Sequence, residues 1–98
     1  MCGGLAPASD ADQETQEIIN KVRAEFEGKV GQNFGEFTAV KVSRQVVAGT
    51  NFFVKVGTGS DKYIHLRVFR PLPHQGDTPQ LHSYQLDKTL EDALEHFE

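Results

Sequence analysis

A long run of helical periodicity opens this chain, and alternating runs follow it. Ile18, Ile19, Val22 and Phe26 recur at the spacing of one helix face. Asp12 stands where an N-cap belongs, with Glu14 in the first turn and Gly28 as a natural stop. The pattern predicts an amphipathic helix over roughly residues 13–28. Four strand candidates come next: Phe37–Val47, Asn51–Val56, Lys62–Phe69 and the weaker Leu81–Leu86. In the first, Phe37, Ala39 and Lys41 share one parity and Val40 and Val42 the other. Neither face is cleanly apolar, so a bulge or twist is expected along it. The other runs alternate more clearly, with Phe52, Val54 and Val56 opposed to Phe53 and Lys55, and Ile64, Leu66 and Val68 opposed to Tyr63, His65 and Arg67.

The connections are Ala48–Thr50, Gly57–Asp61 and a Pro-rich loop over Pro71–Pro79. Connections this short join antiparallel neighbours. One apolar helix face and one apolar sheet face must bury each other. The expected fold class is α+β: a single antiparallel β-sheet wrapped around one long N-terminal α-helix. Ninety-eight residues form one domain, 1–98, with residues 1–11 expected as a flexible N-terminal trunk. The C-terminal segment carries a local conflict. Thr89-Leu90-Glu91-Asp92 has the form of a capping box, and Leu90, Leu94 and Phe97 have helical spacing. Local propensity there favours a short helix.

Composition excludes several function classes. The formal charge of −4 is wrong for nucleic acid and for an anionic membrane surface. No run reaches transmembrane length. Cys2 is the lone cysteine, so no internal disulfide is available, and a reducing compartment is expected. The start Met1-Cys2-Gly3-Gly4-Leu5 lacks the basic and apolar regions of a secretory signal, which points to the cytoplasm. His65, His74, His82 and His96 are scattered without metal-ligand spacing. Gly57-Thr58-Gly59 lies between strands and is too short to cradle a phosphate. Cys2 has no base fixed beside it. No catalytic constellation, metal site or cofactor is expected, and the chain reads as a binder rather than an enzyme.

The binding candidates are apolar residues at turns. Gln45-Val46-Val47-Ala48-Gly49-Thr50-Asn51 takes two valines into a Gly-containing turn between strands. Apolar side chains at a hairpin tip reach their own core with difficulty and suit a surface that enters another molecule. Leu72-Pro73-His74 lies in the Pro-rich connection, and Gly3-Gly4-Leu5 precedes the helix. In the expected sheet these three elements fall at one end. The bland alternatives are a Val46-Val47 pair still packed on the helix and a Leu72 folded beneath its own loop.

At these residues the chain resembles the stefins, the type 1 cystatins. Gln45-Val46-Val47-Ala48-Gly49 matches the family's Gln-Val-Val-Ala-Gly motif at every position, and Thr50–Val56, His65–Phe69 and Leu72-Pro73-His74 extend the likeness over nearly the whole chain. The resemblance implies a helix cradled by an antiparallel sheet. It implies reversible, tight inhibition of papain-like cysteine proteases, including cathepsins. It implies protease contacts at Gly3 or the adjacent Gly4, at Gln45, Val46, Val47, Ala48 and Gly49, and at Leu72, Pro73 and His74. It also implies an extended C-terminal tail along the sheet, against the local helix signal. A non-inhibitory interaction module on the same fold is the alternative. The first hairpin joins two long strands through a short turn. A monomer is therefore expected as the active form, with a domain-swapped dimer as an inactive one.

Overall fold

The computed structural model describes residues 6–76 and 78–98. Among these, a helix α1 (Gln13–Val30) packs on a five-stranded antiparallel sheet of β1 (Ser9–Asp10), β2 (Thr38–Val47), β3 (Gly49–Gly59), β4 (Lys62–Arg70) and β5 (Gln80–Lys88), in that spatial order. The α+β expectation holds.

The helix starts as its sequence dictates. The Asp12 carboxylate accepts from the Thr15 amide at 2.9 Å and from the Thr15 hydroxyl at 2.7 Å. It ends later than Gly28, which lies inside the helix with open space around it. Gly31 supplies the left-handed cap at φ 70°, and the amides of Gly31 and Gln32 both donate to the Glu27 carbonyl. The extra turn is held by tertiary contacts: the Glu27 side chain accepts from the Phe34 amide, and Arg23 donates to the Phe34 carbonyl. Phe34 then stacks on Phe26, which also meets Phe37 and the edge of Tyr84. Ile18, Ile19, Val22 and Phe26 bury against Phe52, Val54, Val56, Ile64, Leu66 and Val68.

The bulge in the first strand is real. Ala39 pairs with Val56 and Lys41 with Lys55, leaving Val40 without a partner in the ladder. The extra residue changes the parity of β2, so Ala39 before it and Val42 after it both reach the helix-side core. Gln16 fixes the approach to the bulge. Its side-chain amide donates to the Phe37 carbonyl at 2.9 Å and accepts from the Ala39 amide at 2.8 Å.

One further expectation needs correction. Residues 6–11, read as part of a flexible trunk, lie along β2: Ser9 pairs with Val42, Asp10 with Lys41, and the amides of Ala6 and Ala11 donate to Arg44 and Val40. This two-residue strand is too short to show a side-chain period; backbone bonds hold it, together with the Lys41 ammonium donating to the Asp10 carboxylate. The polar parity of β3 and β4 is also not a solvent face. Phe53, Lys55 and His65 are buried, and Arg67 is largely covered. Their cover is the C-terminal segment, which forms no helix. Lys55 donates to the carbonyls of Thr89 and Asp92, each at 2.6 Å, and Arg67 to the carbonyl of Phe97 at 2.8 Å. The Phe97 ring stands edge-on to Phe53 at 5.5 Å. The capping-box pattern survives as one turn, in which Asp92 accepts from the Thr89 amide. The buried anchors beneath it outweigh local helix propensity.

Candidate functional site

The β2–β3 hairpin closes more tightly than its sequence suggested. Gln45 pairs with Asn51, Val46 with Thr50 and Val47 with Gly49, so Ala48 alone forms the apex. Strand alternation sends Val46 and Val47 to opposite faces. Val46 is 67% exposed and Ala48 is exposed, so the tip is not packed on the helix. Beneath them, the buried Asn51 donates to the Gln45 side chain at 3.0 Å and ties the two strands at the loop base.

Gly49 has a different place from its neighbours. It is buried, with φ +116°. A Cβ on it would lie 2.6 Å from the Arg70 carbonyl oxygen and 2.9 Å from two carbons of the Phe69 ring. The glycine is required by the hairpin's own packing on β4.

That packing brings the second loop alongside. Thr50 pairs with Arg70, the last residue of β4. Pro71 and Leu72 follow, and Pro73–Gln75 form one 3-10 turn, with the Gln75 amide bonded to the Leu72 carbonyl. Leu72 is an exposed large apolar residue rather than one folded under its loop, and Pro73 and His74 are exposed too. Gly49, Thr50, Arg70, Pro71, Leu72 and Pro73 line a shared cleft of about 290 Å³. Ala6 lies against Arg44 at the same end of the sheet. The candidates Gly3 and Gly4 lie outside the described residues.

Behind the rim is a charged cluster that sequence reading missed. Arg44 reaches Asp12 and Glu14, each at 3.2 Å, and Arg70 reaches Glu14 at 2.9 Å. The hydrogen bonds from Thr15, with Arg44 nearby, hold the Asp12 carboxyl down at about 2. Arg70 is the main cause of a lowered value at Glu14. The only hint in the sequence is an arginine just before each loop, Arg44 before Gln45 and Arg70 before Pro71. Their acidic partners are 30 or more residues away and carry no local signal.

Other chemistry has little footing. Among the described residues no group of three or more His, Cys, Asp or Glu could hold a metal ion. Nor, among the described residues, is any helix long and apolar enough to cross a membrane. The histidines stay apart: His65 is buried in the sheet, His74 is on the second loop, His82 on β5 and His96 against Phe53.

Comparison with known proteins joins this geometry to a family. The Cystatin domain matches residues 3–91. This chain belongs to the cystatin family. Cystatin-B of Mus musculus is 46% identical over 97 residues, which is 99% of each chain. Leukocyte cysteine proteinase inhibitor 1 of Sus scrofa is 45% identical over 97 residues, covering 99% of this cystatin and 94% of the relative. Cystatin-A of Homo sapiens is 45% identical over 95 residues, 97% of each chain. The cystatin is thus of the stefin type, as its motifs implied.

Proposed function

We propose that this cystatin is a reversible, tight-binding inhibitor of papain-like cysteine proteases, with cathepsins among its targets. The observation that carries the reading is the rim itself: an exposed Val46 and Ala48 beside an exposed Leu72, Pro73 and His74, across one shared cleft. A protease groove ends at its catalytic thiolate. A stiff apex entering that groove obstructs it without presenting a peptide bond in attack geometry. Ala48 is held between two paired strands, so little ordering entropy is lost on docking. Val46, Val47 and Leu72 contribute apolar burial, about 1.5 kcal/mol or more for each side chain that becomes fully covered. Gln45 and Gly49 shape the loop from below. In this reading the trunk contributes through Gly3 or the adjacent Gly4. The name of the Sus scrofa relative, a cysteine proteinase inhibitor, agrees with this reading.

Titration against active papain tests it. The expected result is stoichiometric, reversible loss of activity with the Val47–Ala48 bond intact. Undiminished papain activity at micromolar protein rejects the proposal. The monomer is the active form in this reading, and a swapped dimer that opens the first hairpin is not. Size-exclusion fractions assayed separately check that, and an inhibitory dimer contradicts it.

A further inference from the structure

The two oxygens of Glu14 are divided between two strands. Oε1 accepts from Arg44 at 3.2 Å and Oε2 from Arg70 at 2.9 Å. Arg44 lies two residues before Val46 and Arg70 two residues before Leu72. Both guanidinium groups also rest on the ring of Phe52 in β3, at 5.3 Å and 5.0 Å from its centroid. Phe52 is wholly buried, so the surface on which they rest is fixed by the core. The same Arg44 nitrogen also donates to Asp12.

We infer that Glu14 is a positioning residue for the binding rim: it clamps Arg70 toward Arg44 across Phe52 and so sets the second loop at a fixed distance from the first. The inference rests on the proposed inhibitory reading for its effect on binding, but not for the clamp itself. The backbone ladder between β3 and β4 stops at the Thr50–Arg70 pair. Beyond it, the loop's hydrogen bonds from Gln75 to Leu72 and from Gly76 to Pro73 are internal. They shape the turn and do not tie it to β3. Among the described residues, the Arg70 side chain, on the residue that closes the ladder, is a further anchor at the start of the loop. A planar guanidinium stacked on a ring and bonded to a carboxylate resists both rotation and sliding. Half-exposed ion pairs add little to global stability. Their loss therefore alters where the loop sits more than whether the chain folds. A loop in its competent position only part of the time raises the apparent Kd by the inverse of that fraction.

The test is papain binding by wild type, Glu14→Gln, Leu72→Ala and the double variant, with amide exchange of the loop in the free protein. Glu14→Gln is expected to raise Kd roughly fivefold, the scale of one lost surface network. Its melting temperature stays near that of wild type. On the Leu72→Ala background the fivefold effect disappears, because the side chain being positioned is gone. Exchange at Leu72–Gly76 quickens in Glu14→Gln but not in Glu17→Gln, a control on an exposed residue of the same helix. A Kd change under twofold, an undiminished effect on the Leu72→Ala background, or unchanged loop exchange overturns the inference. If wild type fails to bind papain, the proposed function falls, and loop exchange still decides the clamp. If Glu14→Gln melts early, Arg70→Lys, which keeps the charge and loses the fork, is read by the same loop exchange.

Discussion

Replacing Gly49 by alanine should damage the free protein as well as its complex. The added Cβ meets the Arg70 carbonyl at 2.6 Å, where real Cβ contacts do not occur, and the Phe69 ring at 2.9 Å. The backbone there has φ +116°, which costs a non-glycine residue about 1–3 kcal/mol. Overpacking against a backbone oxygen costs about 1–3 kcal/mol more. If the hairpin keeps its shape, stability falls by about 2–6 kcal/mol, or roughly 8–48 °C in melting temperature for a domain of this size. If the tip shifts to relieve the clash, the loss moves into affinity, because Val46 and Leu72 no longer share one rim. Thermal unfolding and papain titration on the same preparations separate the two. Val46→Ala is the contrast: its side chain is mostly exposed, so inhibition weakens while the melting temperature hardly changes. A Gly49→Ala protein with wild-type melting and wild-type inhibition refutes the reasoning.

Acid should weaken the fold through His65. Burial, with Lys55 and Lys88 nearby, lowers its pKa to about 4. The unfolded imidazole therefore takes up a proton first as pH falls. The stabilisation is whole above about pH 6.5 and fades toward pH 4, by about 3 kcal/mol over that interval; urea unfolding of wild type and His65→Gln should show a shallower pH slope in the variant. Lys55→Met removes both donors to Thr89 and Asp92 and should cost about 1–3 kcal/mol; amide exchange confined to faster opening of residues 89–98 is the expected signature, and an unchanged tail contradicts it. Asp12→Ala removes the helix cap and a partner of Arg44 and should cost about 1 kcal/mol, measured by denaturant midpoint. Because Asp12 stays ionised down to about pH 2, that cost should persist through mild acid.

The fold was legible wherever side chains carried a period. Ile18, Ile19, Val22 and Phe26 located the helix, and the mixed parities of residues 37–47 announced a bulge or twist without placing it at Val40. The helix end was not legible, because Glu27 and Arg23 extend it by holding Phe34, a contact made only after folding. The outer sheet face misled for a similar reason: Lys55, His65 and Arg67 look solvated until the tail is laid over them. At the rim, the motif pointed to segments that the fold brings to one end of the sheet, but not to their different structural roles. Val46 and Leu72 are exposed, whereas Gly49 is an internal spacer whose need is visible only against Arg70 and Phe69. Glu14, a helix-dipole residue in sequence, bridges two strands in space.

The unpaired residue at Val40 reconciles two demands on one strand. At its start, Gln16 grips Phe37 and Ala39 and fixes which way they face; at its finish, the pairing with β3 fixes which face of the hairpin each of Val46 and Val47 takes. Delete Val40 and the two fixings fall out of phase by one side chain. Either Ala39 turns its back on the helix, or Val46 and Val47 trade sides, through a change made about 26 Å along the strand from the apex.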